Sequence, residues 1–207
     1  YTVSVLSSAD IIALTTAQTQ SLTTQQAIAL TTAQISTFET SDIASFGGLN
    51  IPVLRSDQIV ALTTAQAQAL TPYAVSLLTT GQILAMETQD FASIVPQGIA
   101  SLSTYTVSVL RSANIIALTT AQTQYLSSKQ AVALTTDQIT AFSTQNISKF
   151  GYLNIPVLSS GQIVALTTAQ VQALESVQAS YLSTAQILAM ETQDFASLST
   201  SSIQALA

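Results

Sequence analysis

Apolar side chains recur every eight residues through the chain: Leu6, Leu14, Leu22, Leu30, Phe38, Phe46, Leu54, Leu62, Leu70, Leu78, Met86, Ile94 and Leu102 form one column, which continues to Leu206. A second apolar column falls five residues later, at Ile11, Ile35, Ile43, Ile59 and Ile83 among others. With the first column numbered position zero, the repeat reads Leu-Thr-Thr-x-Gln-Ile-x-Ala, as in Leu30-Thr31-Thr32-Ala33-Gln34-Ile35. A spacing of five has odd parity, so one continuous strand cannot turn both columns to the same face. A helix start can. If position one is the N-cap, position four is N3, and Ser or Thr followed by Gln three residues later is a capping box; positions zero and five then form the flanking hydrophobic staple. Gln, Asn or Asp occupies position four in 21 of 25 octads. Pro72 and Pro96 fall at position two, the first helical residue, where proline is tolerated. The octads opening Arg55-Ser56-Asp57-Gln58 and Glu87-Thr88-Gln89-Asp90 have no capping side chain at position one, so their caps are expected at position two.

Each octad therefore predicts a helix of about one and a half turns, far below the roughly 12 residues at which an isolated helix becomes marginal in water. Stacking must supply the stability. Phe46-Gly47-Gly48-Leu49-Asn50-Ile51-Pro52-Val53 and Phe150-Gly151-Tyr152-Leu153-Asn154-Ile155-Pro156-Val157 carry proline at position six, which forbids the closing helical bond, and are expected to be irregular.

The octads nest in a longer repeat. Tyr1-Thr2-Val3-Ser4-Val5-Leu6 returns as Tyr105-Thr106-Val107-Ser108-Val109-Leu110, and at this offset of 104 the copies agree at 68 of 103 positions. The 35 differences spare position zero (one) and position five (two) and crowd into positions one (eight) and three (seven). Zero and five read as core, one and three as surface. All six Phe lie in the core columns: Phe38, Phe46, Phe142 and Phe150 at zero, Phe91 and Phe195 at five. The expected fold is an all-α solenoid of about 25 very short helices, a single repeat domain over 1-207 built from copies 1-104 and 105-207 of thirteen octads each. The competing architecture is a β-solenoid with three octads per coil and outward Thr ladders. Ala and Gln are poor strand residues, and six Gly are few for the tight corners of such a coil. Thirteen is divisible by neither two nor three, so a duplicated block suits a rotation per octad that needs no whole number per turn.

Charge narrows the function. Charged residues make up 7% of the chain, against about 25% in ordinary domains, and 30 Thr, 27 Ser and 23 Gln take their place. Without His or Cys there is no thiol nucleophile, Ser-His-Asp triad or zinc site of the usual kind. The acidic pairs Glu39/Asp42, Glu87/Asp90 and Glu191/Asp194 read as solvated carboxylates at helix starts rather than acid–base pairs. No catalytic residue, cofactor or metal is expected. A net charge of −6 with four cations, Arg55, Arg111, Lys129 and Lys149, cannot neutralise a row of phosphates, which argues against nucleic acid. Polar residues interrupt every apolar run short of the roughly 18 residues of a membrane span. The chain opens on Tyr1 with no signal peptide and reads as a segment of something longer.

The octad resembles the Leu-Thr-Thr-x-Gln-Ile-x-Ala repeat tracts of very large bacterial secreted or surface proteins of the haemolysin and adhesin type, along essentially the whole chain. The resemblance implies an extracellular structural or adhesive segment, a spacer or interaction scaffold, without naming a ligand. Leu70-Thr71-Pro72 and Gln58-Ile59-Val60-Ala61-Leu62 are similar to the first helix of transcription-activator-like effector repeats, which implies shared capping chemistry over eight residues. Tyr125, Lys149 and Tyr181 stand at position seven where the first copy has Ser21, Ser45 and Leu77, and Tyr152 replaces Gly48. These four form the candidate interaction surface, for protein or glycan on a cell surface; their bland reading is aromatics filling an irregular groove. The alternative function is a glycan- or ice-binding solenoid presenting Thr and Tyr arrays. Finally, octads cut in mid-array near Tyr1 and Leu206 expose core faces, so self-association through the ends is expected.

Overall fold

The computed structural model describes residues 2–46 and 48–206, without the side chain of Thr2. Among these the chain forms 23 short α-helices and three 3-10 segments, with no strand. It divides into two compact units, Tyr1–Leu102 and Ser103–Ala207, close to the boundary of the sequence duplication. The β-solenoid reading does not hold.

One octad shows how each helix is made. In Thr64–Ala69 the N-cap is Thr63, extended at φ −76° and ψ 157°; its hydroxyl accepts the Gln66 N–H at 3.2 Å while its own N–H donates to Gln66 Oε1 at 2.8 Å. The helix stops at Leu70, which leaves the helical region at φ −58° and ψ 123°. Leu70 is at once the C-cap of this helix and the residue before the next N-cap, Thr71. Two extended residues thus reverse the chain, and no described residue has a positive φ. That is why six Gly suffice. Pro72 and Pro96 open the helices Pro72–Leu77 and Pro96–Ala100 as expected.

Two expectations need correction. The caps at Arg55 and Glu87 do not move to position two: the helices are Ser56–Val60 and Thr88–Ser93, with Arg55 and Glu87 as N-caps. The physical reason at Arg55 is that its backbone N–H still donates to Gln58 Oε1 at 2.8 Å, so half of the capping box works whatever side chain position one carries. The irregular octads are also more ordered than foreseen, since each contains a 3-10 turn, Ile51–Val53 and Ile155–Val157, with the proline inside it.

Within each unit every helix lies against the one three octads later, as Ser8–Ile12 does against Thr32–Thr37 and Thr120–Gln124 against Thr144–Lys149. Positions zero and five point inward nearly throughout, and positions one and three outward. Position four is a third buried column that sequence reasoning treated only as a cap. Its Gln side chain has three partners. Gln66 Oε1 takes the N–H of its own N-cap, and Nε2 donates to the carbonyls of Ile35 and Phe38, both at 2.8 Å. Gln34, Gln58 and Gln82 do the same in the first unit, and Gln138, Gln162, Gln170, Gln178 and Gln186 in the second, always to carbonyls 31 and 28 residues earlier. These carbonyls close the helix of the preceding coil: the first also accepts the N–H of the stop residue, as Ile35 does from Phe38 at 3.4 Å, and the second belongs to the stop residue itself, past the last turn of the helix. One side chain therefore caps the start of its own helix and the end of another. The separations of 28 and 31 residues join position four to positions zero and five in the coil three octads earlier, so within each unit a coil holds about three octads, which corrects the expectation of no whole number per turn.

The core differences between the copies are compensated. A Cβ on Gly98, at position four, would lie 2.7 Å from Ile94 Cγ2 and 3.1 Å from Val75 Cγ2. The second copy has Ser202, Leu198 and Ala179 at these places. Removing the Val75 methyls admits a hydroxyl, which bonds the Leu174 carbonyl at 3.1 Å.

Gln66→Glu tests the lock. The carboxylate keeps the capping bond but turns an acceptor oxygen onto two buried carbonyls, so stability should fall by about 3 kcal/mol, the sum of several unsatisfied buried groups. Gln18→Glu, at an exposed position-four residue, should change it by no more than about 0.5 kcal/mol. Urea unfolding of both variants provides the comparison, and equal losses would contradict the assignment.

Candidate functional site

The second unit places Lys149 and Tyr152 in the wall of one groove of about 320 Å³, together with Gln124, Glu175 and Val177; Tyr181 does not line it but lies against the Tyr152 ring. Lys149 ends the helix Thr144–Lys149, and its Nζ lies 2.6 Å from Oε1 of Glu175, the N-cap of Ser176–Ala179. Both side chains are more than two-fifths exposed, so water screens the pair and leaves it worth little to stability. Tyr152 stands in the turn before Ile155–Val157, its ring centroid 5.4 Å from that of Tyr181 with the planes tilted by 33°. Past Tyr152 a second groove of about 290 Å³ continues to Ser128 and Asn154. Tyr125 is the C-cap of Thr120–Gln124, one residue on from Gln124, but does not itself line either groove. All three tyrosines remain more than two-fifths exposed.

The first unit has the matching notch, about 470 Å³ in volume, lined by Gln20, Leu22, Gly48, Leu49 and Asn50 among others. There the aromatic comes from the other side. A Cβ on Gly48 would meet the Tyr73 hydroxyl at 2.9 Å, its Cε1 at 3.2 Å and Leu77 Cδ1 at 3.3 Å. The copies thus trade Gly48, Tyr73 and Leu77 for Tyr152, Val177 and Tyr181. A ring at position 152 requires a small residue at 177. Sequence comparison of the copies flagged Tyr152 and Tyr181 but missed Glu175 and Val177, although both differ from their counterparts, Thr71 and Tyr73. The groove in the second unit combines aromatic faces, an ammonium–carboxylate pair and side-chain amides. These groups can stack and hydrogen bond.

The acidic pairs are split by the fold. Glu39, Glu87 and Glu191 are exposed N-caps, whereas Asp42, Asp90 and Asp194 are buried at position four, which corrects their reading as solvated carboxylates. An Asp side chain has no amide N–H to give a carbonyl; each instead accepts a hydroxyl from position two of the preceding coil, Thr16, Thr64 and Thr168, at 3.1, 2.7 and 2.7 Å. The copies show the alternative directly: the counterpart of Asp42 is Asn146, whose Nδ2 donates to the Leu118 carbonyl at 2.7 Å. Among the exposed carboxylates, the Ser7 hydroxyl and then its N–H hold Asp10 below the usual carboxylate range, as the Arg55 side chain does for Asp57. Such contributions are present at neutral pH and fade as pH falls through the lowered values. No cluster of three metal-ligating side chains occurs among the described residues, and no helix there is long and apolar enough to cross a membrane.

This architecture defines the class: an all-α repeat array whose unit is the octad. Residues 35–72 and 155–190 match the family model of the ALTTAQ repeat. Both regions carry those six residues, Ala61 to Gln66 and Ala165 to Gln170. In the structure the six run across a helix junction: the end of one helix, its apolar stop, the N-cap, two residues of the first turn and the amide lock. No curated protein matches the chain.

The trade between the copies yields a double-mutant test. Gly48→Tyr should cost about 1–3 kcal/mol by overpacking against Tyr73, and Tyr73→Val in the same chain should recover most of the loss through coupling between neighbours. Urea unfolding of the two single variants and the double variant measures it; additive losses would contradict the shared notch.

Proposed function

We propose that the chain is a non-catalytic structural or adhesive repeat segment, a spacer or interaction scaffold, of a larger bacterial protein that is secreted or held at the cell surface. The observation that carries this reading is the position-four lock, which devotes the most regular polar side chain of the octad to joining coil to coil. The match to a repeat family supports a structural role, and the resemblance to octad tracts of haemolysin- and adhesin-type proteins supports the location. The missing His and Cys weigh against most hydrolytic and thiol chemistries.

A glycan- or ice-binding role is the rival. A Thr lattice is a weak basis for it, because position-one hydroxyls such as Thr31, Thr63 and Thr79 accept helix-start N–H groups at 3.2 Å. The groove of Lys149 and Tyr152, with Tyr181 packed against the Tyr152 ring, is the better basis, since exposed tyrosine faces beside amides and charges suit a sugar ring.

A glycan array and an ice-recrystallisation assay on the folded chain separate the readings. A spacer is silent in both. Saturable glycan binding abolished by Tyr152→Ala would overturn the spacer reading in favour of the groove.

A further inference from the structure

We propose that Tyr152 and Tyr181 form an oxidative modification site, at which a one-electron oxidant, a haem peroxidase acting with hydrogen peroxide, joins the two phenols into a dityrosine staple between successive coils. This goes beyond the structural role above.

The chain has no Cys, Trp or His, so Tyr and Met are its readily oxidised side chains and no disulfide can tie one coil to the next. Two of the tyrosines already touch. The ring centroids of Tyr152 and Tyr181 lie 5.4 Å apart with the planes tilted by 33°. The two are exposed by 48% and 42%, so an oxidant can reach them and the rings have room to turn about their side-chain bonds. Tyr73 and Tyr105 are more exposed, at 68% and 69%, but make no ring contact among the described residues. Contact, not exposure, singles out the pair.

The pair also sits where the second unit is least regular. Tyr152 belongs to octad 150–157, which has the three-residue turn Ile155–Val157 in place of an α-helix. Tyr181 ends the octad of Ser176–Ala179, three octads later. The Gln178 amide joins these coils through the carbonyls of Ile147 and Phe150, at 2.9 and 2.7 Å, and the groove of about 320 Å³ opens beside it. The ring contact is a second link across the same junction. Both rings enter in the same copy, replacing Gly48 and Leu77, while Tyr73 gives way to Val177 and leaves them room. Two unrelated surface aromatics would not require that exchange.

The chemistry balances within the two rings and the oxidant. Each phenol gives up one electron and its hydroxyl proton. The two phenoxyl radicals couple through a carbon ortho to each oxygen, forming one C–C bond, and the hydrogens displaced from those carbons return to the oxygens and restore both phenols. One hydrogen peroxide takes up the two electrons and two protons and becomes two waters. The chain loses two hydrogen atoms and gains a covalent loop from 152 to 181.

Treatment of the full chain with a haem peroxidase and hydrogen peroxide, at a concentration low enough to disfavour links between chains, tests this. Peptide mass mapping should place one intramolecular link between Tyr152 and Tyr181, with the loss of two hydrogens and the fluorescence of dityrosine. The urea midpoint should rise by about 1 M, as expected when a cross-link closes a loop of this length. Tyr152→Phe keeps the ring but has no phenol to oxidise; treated in the same way it should show neither link nor rise, and it is the reference for oxidation elsewhere in the chain. Links spread equally over Tyr73, Tyr105 and Tyr125, links between chains alone, or undiminished fluorescence in Tyr152→Phe would overturn the site. A link between Tyr152 and Tyr181 that left the midpoint at the reference value would overturn its role as a staple.

Discussion

The amide at position four is the constraint on which the rest of the structure depends. A helix of six residues consists almost wholly of its two end turns, so most of its N–H and C=O groups lack an intrahelical partner. Burying such helices against one another would be prohibitive without partners for those groups. Glutamine supplies them in both directions, toward its own N-cap and toward the helix end of the preceding coil. The apolar columns at zero and five can then close round a backbone whose polar groups are met.

Side-chain length explains why Gln outnumbers its shorter relatives in this column, 13 to four Asn and four Asp. Asn114 uses Oδ1 for its capping box, accepting the Arg111 N–H at 3.3 Å, and its buried Nδ2 is left without a partner. Asn146 makes the opposite choice, reaching the Leu118 carbonyl while its Oδ1 makes no capping-box bond. Asn50 and Asn154 sit in octads that have no α-helix to cap, and both donate to carbonyls 28 residues earlier. One methylene decides whether both bonds can be made. Asp makes neither donation and turns to a Thr hydroxyl instead.

Much of this was legible in the sequence. The parity of the zero and five columns excluded a single strand face, and the Thr-to-Gln spacing located nearly every cap. The second task of the glutamine was not legible, because a capping box alone accounts for the residue type and says nothing of where the amide protons go. Its burial shows in the sequence only faintly: four of the paired positions, Asp10/Asn114, Asp42/Asn146, Ala74/Gln178 and Gly98/Ser202, differ between the copies, fewer than at positions one and three but more than at zero or five. The groove was half legible. Tyr152 and Tyr181 stood out as large gains, but the loss of Tyr73 to Val177 that makes room for them is visible only once the ring of Tyr73 is seen over Gly48.

The central claim is that buried position-four amides, and not only apolar columns, hold coil to coil. Solvent exchange of the side-chain NH2 protons, resolved by NMR, measures this directly. The account predicts slow exchange for Gln34, Gln58, Gln66 and Gln82, whose Nε2 atoms donate to buried carbonyls, and fast exchange for the exposed Gln20, Gln25 and Gln68. Equal, fast exchange at all seven would contradict it.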